Sequence, residues 1–421
     1  MINYLSKNSQ IFIFSIIPLS IIVGPAVSLI NTLLICLLIS SIILMEKKFY
    51  FFKNRAIIGL SVLYFYLIFN SLISVDISSG IFRNLGFVRF IFYFIAFNYI
   101  FHRYQNSKKI FRIWLIIFLI LVADVYVERI TGSNILGYGK TEINGVAQID
   151  GSRVMSFFKD EAIPGAFIAG FIFIISGYIF SSLKKNDNSK LFSFLIVSFF
   201  FIGILITGER SNSLKVITGF FIFISIIDYI KLRTKFLIFG IFLTIFLIAI
   251  TFSDYLKMRY YGQIYLTLIE KETRTKFFNN LYFKLYKSGY SVFENYPIFG
   301  VGNKNFRVEA CDPEKKKLNP KYDCSTHPHQ IYFELLSEHG IVGTIIILSI
   351  IFYLTFRLLK LISLSQNYIQ AGAFSYIFIN FLPLLPGGAF FNDFNLTLFM
   401  INFSIMYAVS IETNIFSNKK I

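Results

Sequence analysis

Charge is the first thing this chain is short of. Only 15% of its 421 residues are Asp, Glu, Lys or Arg, whereas 56% are hydrophobic and 53 are Phe. Mean hydropathy is +0.66. A water-soluble core has no use for so much apolar surface, whereas lipid-exposed helices do, so a soluble globular class is excluded. Short segments of alternating polarity are missing, which excludes a membrane β-barrel. Internal repeats and paired half-length spans are missing too, which argues against a transporter. Acidic residues are the rarer sign, 23 against 40 Lys and Arg. The basic residues are dispersed between hydrophobic runs, so no nucleic-acid partner is expected; cytoplasmic loops touching anionic headgroups are. Four histidines and three cysteines complete the shortages.

What is present is a series of apolar runs of span length. The expected fold class is an all-α polytopic membrane protein with about twelve transmembrane helices. They are expected near 10–28, 30–45, 56–74, 84–101, 110–127, 162–181, 191–207, 213–230, 236–252, 340–356, 368–386 and 396–412. The first run is expected to be a span and not a cleavable signal peptide. Lys and Arg collect in alternate connections, as in Lys108–Lys109, Lys184–Lys185 and Arg357–Lys360, and at Lys419–Lys420 in the tail. That side is expected to be the cytoplasm, with both termini inside. The chain divides into a bundle over 1–252, a large outer loop over 253–339 and a second bundle over 340–421. Amphipathic helices are expected within that loop at Tyr260–Glu270 and Thr275–Phe293, resting on the outer leaflet or roofing the bundle.

The scarce polar chemistry is concentrated in one stretch. Glu294–Gly343 holds Cys311, Cys324, His327, His329 and His339. In an oxidising compartment Cys311 and Cys324 are expected to form a disulfide; in a reducing one they would be free thiols. Cys36 lies in a span and reads as a small apolar residue. His327 and His329 form an H-x-H pair, a weak metal signal, and no metal is expected. His329 is placed at the first turn of a helix that continues into the tenth span, on its bundle-facing stripe, where a histidine could act as a base. His339 reads as interfacial. Arg210 follows Thr207-Gly208-Glu209 between two spans. It either snorkels to headgroups, paired with Glu209, or clamps a phosphate with its planar fork. Arg89 lies inside the fourth span. A charge there faces either a wet cavity, which makes Arg89 a substrate-binding candidate, or a structural partner, for which Asp124 is available.

Glu294-Asn295-Tyr296-Pro297-Ile298-Phe299-Gly300-Val301-Gly302 through Phe306, followed by His327-Pro328-His329-Gln330-Ile331-Tyr332 through Gly340, resembles the shared domain of bacterial O-antigen ligases and O-antigen polymerases. Thr207-Gly208-Glu209-Arg210-Ser211 looks like the family's Thr-x-Ser-Arg-Gly link. Gly151-Ser152-Arg153 through Phe158 is similar to its Arg-x-x-Gly-x-Phe loop. The resemblance implies a GT-C-like fold in the bacterial inner membrane with a periplasmic active site. It implies glycosyl transfer from an undecaprenyl-diphosphate-linked glycan to a sugar hydroxyl, on lipid A-core or on another lipid-linked glycan, without cofactor, metal or nucleotide sugar. Ligase and polymerase share these motifs and both readings stay open. By position, Arg210 would hold the diphosphate and His329 would activate the acceptor. The family's second arginine falls at Tyr282 in this chain, so Arg274, Lys284 or Lys287 is expected to supply that charge. Gln330 stands where the family has asparagine.

Overall fold

A computed structural model describes residues 7–47, 49–104, 108–139, 142–143, 146–147, 153–159, 161–182, 187–227, 231–262, 281–365 and 367–417. Arg274 and most of the helix expected at Tyr260–Glu270 lie outside the described residues.

The chain is a polytopic helical membrane protein. Eighteen helices are used below: α1 (Lys7–Ser15), α2 (Ile17–Val23), α3 (Pro25–Glu46), α4 (Arg55–Leu72), α5 (Ile77–Gly86), α6 (Val88–Arg103), α7 (Lys108–Thr131), α8 (Pro164–Ser182), α9 (Asp187–Ile206), α10 (Arg210–Ile226), α11 (Leu232–Phe252), α12 (Leu281–Asn295), α13 (Phe306–Ala310), α14 (Pro313–Leu318), α15 (Ile331–Phe356), α16 (Leu359–Ser365), α17 (Tyr368–Ile379) and α18 (Asp393–Ala408). A two-residue strand pair, Glu142–Ile143 with Val146–Ala147, accompanies them. Among the described residues, seven helical stretches are long and apolar enough to cross a membrane, and Phe192–Ile206 and Tyr368–Ile379 are shorter apolar helices.

Breakers and caps set the boundaries. The run expected as one span over 10–28 is broken twice. Ile16 (φ −87°, ψ 1°) leaves helical geometry just before Pro18, and Gly24 (φ 141°) precedes Pro25, which starts α3 at a position where its missing N–H costs nothing. Asn54, Asp76, Asn367 and Asn392 each accept a backbone N–H at a helix start.

Lipid is as apolar as leucine, so close packing and not burial from water holds the helices together. α8 and α17 show how. A Cβ on Gly372 would lie 2.3 Å from the Phe173 carbonyl oxygen, and one on Gly177 would lie 2.5 Å from that of Tyr368. The two backbones touch because glycines line the contact. Around them Trp114, Phe97, Phe118, Phe167 and Phe171 are fully buried. α11 is the opposite case, burying only Phe242 and leaving Leu237, Leu247 and Phe252 exposed. Such a helix makes sense only with lipid as its solvent.

The Glu294–Gly343 stretch is docked on this bundle by main-chain contacts. α15 is kinked at Gly340 (φ 60°, ψ −168°), and residues 297–302 run along the broken turn. Val301 and Gly302 N–H donate to the Ser337 and Glu338 carbonyls at 2.9 Å each. Ile341 and Val342 N–H donate to the Pro297 and Ile298 carbonyls at 2.8 and 3.1 Å. The kink frees these groups and the inserted segment satisfies them. Asn70 on α4 ties both strands of the contact. Its amide donates to the Phe299 and Glu338 carbonyls, and its oxygen accepts from Asn303 N–H. Cys311 and Cys324 are joined by a disulfide at the base of a lobe containing α14.

Candidate active site

The turn between α9 and α10 organises the site. Its carbonyls draw in three other segments. Arg129 Nε donates to the Ile206 carbonyl at 3.1 Å, and Arg259 Nε donates to that of Gly208 at 3.0 Å. Val154 N–H donates to the Thr207 carbonyl at 3.1 Å. Arg153 and Arg259 therefore stand beside Arg210, and both positive charges act on it. Among the described residues, no ion pair joins Arg210 to a carboxylate. Arg210 is also the first residue of its helix, the end where the backbone is already positive. Like charges gathered at a helix N-terminus are locally unfavourable, and an anion from outside the chain would relieve that repulsion.

Glu209 is not the partner of Arg210. It is buried, accepts from Gly165 N–H at 2.6 Å and from the Asn212 amide at 2.6 Å, and is pushed up to about 7 by burial. Its carboxylate anchors α8 to the turn. The Arg153 loop is anchored from the other side. Asp124 accepts from the Ser156 hydroxyl and from Ile135 N–H, and Glu128 accepts from Met155 and Ser156 N–H at 2.9 and 2.5 Å. Asp124 is thus a loop anchor and not the partner of Arg89. Arg89 pairs with Asp393 at 2.5 Å, and Arg83 lies 3.7 Å from the same carboxylate.

His329 comes to this cluster from a loop. It has φ +59° and precedes α15, which Gln330 caps by accepting from Tyr332 and Phe333 N–H at 2.8 and 3.1 Å. The expectation of a first-turn histidine is corrected here, because the cap places the helix start after it. The amide of Gln330 is used by that cap. The His327 and His329 rings lie against each other, tilted by 40°, with centroids 3.9 Å apart. His327 Nε2–H donates to the Gly387 carbonyl at 3.2 Å, and Gly387 N–H donates to the His329 carbonyl at 2.8 Å. Ser211 holds the same 380s link by donating to the Pro386 carbonyl. One loop therefore clamps the histidines to the start of α10. Burial lowers both histidines to about 4, and for His329 the charge of Arg153 adds to it. Both are neutral at pH 7, with a nitrogen lone pair each. Beneath lies a cavity of about 80 Å³ that Asn212, Lys215 and Gly387 help to line.

Tyr282 meets His329 edge to face at 5.9 Å and is among the groups acting on Arg210. Lys284 and Lys287 are exposed on α12. The additional charge beside Arg210 comes from Arg153 and Arg259. Arg259 sits in a π-helical stretch, Lys257–Gly262, after α11 and carries no motif of its own, so only the fold reveals it. Arg153 lies in the loop that resembles the family's Arg-x-x-Gly-x-Phe segment. His339 is buried at the kink, 3.4 Å from the Tyr66 hydroxyl, and is not interfacial. Among the described residues, no three His, Cys, Asp or Glu side chains gather as a metal site.

A helical membrane protein that gathers arginines and a neutral histidine pair at one end of its bundle has the equipment to bind a phosphorylated group and to take up a proton. Residues 192–348 match the O-antigen ligase family model, a stretch that holds Arg210, Arg259, His327 and His329. Over that stretch the match supports a relation to the O-antigen ligase and O-antigen polymerase superfamily. No curated protein matches it.

Proposed function

We propose that this protein is a glycosyltransferase of the O-antigen ligase type, moving a glycan from undecaprenyl diphosphate to a sugar hydroxyl at the periplasmic face of a bacterial inner membrane. The observation that carries the reading is the arginine group around the Thr207–Arg210 turn, with His329 held beside it by Gly387. A diphosphate is a good leaving group once its charge is met, and fixed guanidinium groups meet it without reorganising. Arg210, Arg153 and Arg259 hold the departing diphosphate in this reading. His329 accepts the proton of the attacking hydroxyl, whose oxygen forms the new bond to the anomeric carbon as the carbon–phosphate oxygen bond breaks. The lone pair of a neutral imidazole is what this step needs. Both termini lie in the cytoplasm and the acceptor is lipid A-core or a related glycan.

The test uses purified protein in liposomes with donor on the accessible face. Transfer should be seen with the natural protein and be lost in Arg210→Ala and in His329→Ala, both still membrane-inserted, while His327→Ala is milder. Full activity of His329→Ala would remove the base role. The lipid-linked glycans of a knockout test the ligase reading: long polymer accumulating on the carrier supports it, and single repeats would assign a polymerase instead.

A further inference from the structure

A second cavity among the described residues lies away from the Arg210–His329 group. It is a cleft of about 690 Å³, within the range of ligand sites, on the far side of two loops. One wall is apolar and comes from the break between α2 and α3, with Val23, Pro25, Ala26 and Leu29. The same lining carries Arg83, Arg89 and Lys159, together with Asp393 and Glu161. Three cations thus accompany two carboxylates. The Arg89–Asp393 pair is not a sealed structural bridge: the Asp393 side chain is 52% exposed, and Arg83 lies 3.7 Å from it. A charged head with an apolar wall alongside matches a lipid whose head is anionic.

Position adds a second argument. The 153–161 loop has Arg153 at one end, in the first site, and Lys159 and Glu161 at the other, in the cleft. The 387–393 link has Gly387 at the histidines and Asp393 in the cleft. Each loop spans the two sites in six residues, which fully extended reach at most about 20 Å. A phosphate held at Lys159 therefore lies within about 20 Å of Arg153 in the first site.

We propose that this cleft is a second lipid site, binding the phosphate-bearing head of the acceptor lipid through Arg83 and Arg89, with its chain along the α2–α3 break. That the lipid is the acceptor rests on the transferase reading; that the cleft binds a lipid phosphate does not. The probe is a photoactivatable polyprenyl phosphate, applied to the whole protein in nanodiscs, with labelled peptides mapped by mass spectrometry. The natural protein should be labelled over 21–32. The Arg83→Gln/Arg89→Gln protein should lose that labelling about tenfold or more. Asp393→Asn, which removes the competing carboxylate, should hold or increase it. Arg210→Gln should leave it unchanged. Excess inorganic phosphate should compete poorly, because it lacks the chain. Equal labelling by the uncharged polyprenol would overturn the proposal. So would loss in Asp393→Asn parallel to that in the arginine variant, since the pair would then only hold α6 to α18. Loss in Arg210→Gln would show a single site. Labelling does not depend on transfer, so an inactive enzyme with a labelled cleft would sink the transferase reading and leave the cleft standing.

Discussion

Replacing Gly340 by alanine puts the docking of the Glu294–Gly343 stretch to a quantitative test. The residue has φ 60° and ψ −168°, a backbone region that is essentially closed to residues with a Cβ. Holding alanine there costs roughly 1–3 kcal/mol. A Cβ would also lie 2.4 Å from the carbonyl carbon and oxygen of Ile298 and 2.6 Å from Phe299 N. These are main-chain atoms, so the whole segment must shift. The bonds from Ile341 and Val342 N–H to Pro297 and Ile298 would be stretched or lost, at about 1 kcal/mol each. The combined penalty is about 3–5 kcal/mol, a large share of ordinary folding stability. Gly240→Ala is the control, because nothing lies within 4 Å of its Cβ. Thermal aggregation in detergent should show Gly340→Ala melting well below the natural protein and Gly240→Ala unchanged. Transfer activity should fall with it, since the kink aims the α15 start and His329 beside it. Equal melting of the two variants would refute the docking argument.

Two further outcomes follow from the site. Arg259→Gln removes a charge beside Arg210 and should raise the donor KM about tenfold with kcat little changed; Arg259→Lys, a point charge without the fork, should fall between. Equal donor saturation curves in all three proteins would exclude Arg259 from donor binding. The histidine pair sets a pH dependence: both groups drop from 6.5 to about 4 on folding, so the unfolded chain takes up protons first as pH falls. Stability should therefore decline between about pH 6.5 and 4 and change no further from this source below that. A His327→Gln/His329→Gln protein should show a flatter thermal midpoint over that window, and an unchanged slope would contradict the burial argument.

The sequence by itself determined the membrane class, because hydropathy is a property of composition and needs no contacts. It also singled out Arg210, His329 and the glycine-rich segment as candidates, because local turns and their spacing are written along the chain. The His329 helix assignment failed at one residue. Periodicity carried the helix back to His329, but the Gln330 side chain caps the α15 amides and ends it there. The pairing of Arg89 with Asp124 failed for a different reason: which helices are neighbours is not local. Asp393 lies far along the chain and folds back beside Arg89, while Asp124 is spent on the loop that carries Arg153. Arg259 marks the same boundary. Its sequence surroundings are ordinary, and it gains a place beside Arg210 only because its Nε reaches the Gly208 carbonyl across 51 positions. Composition and spacing set which elements form; long-range hydrogen bonds, available only once the helices have packed, decided which cations share a site.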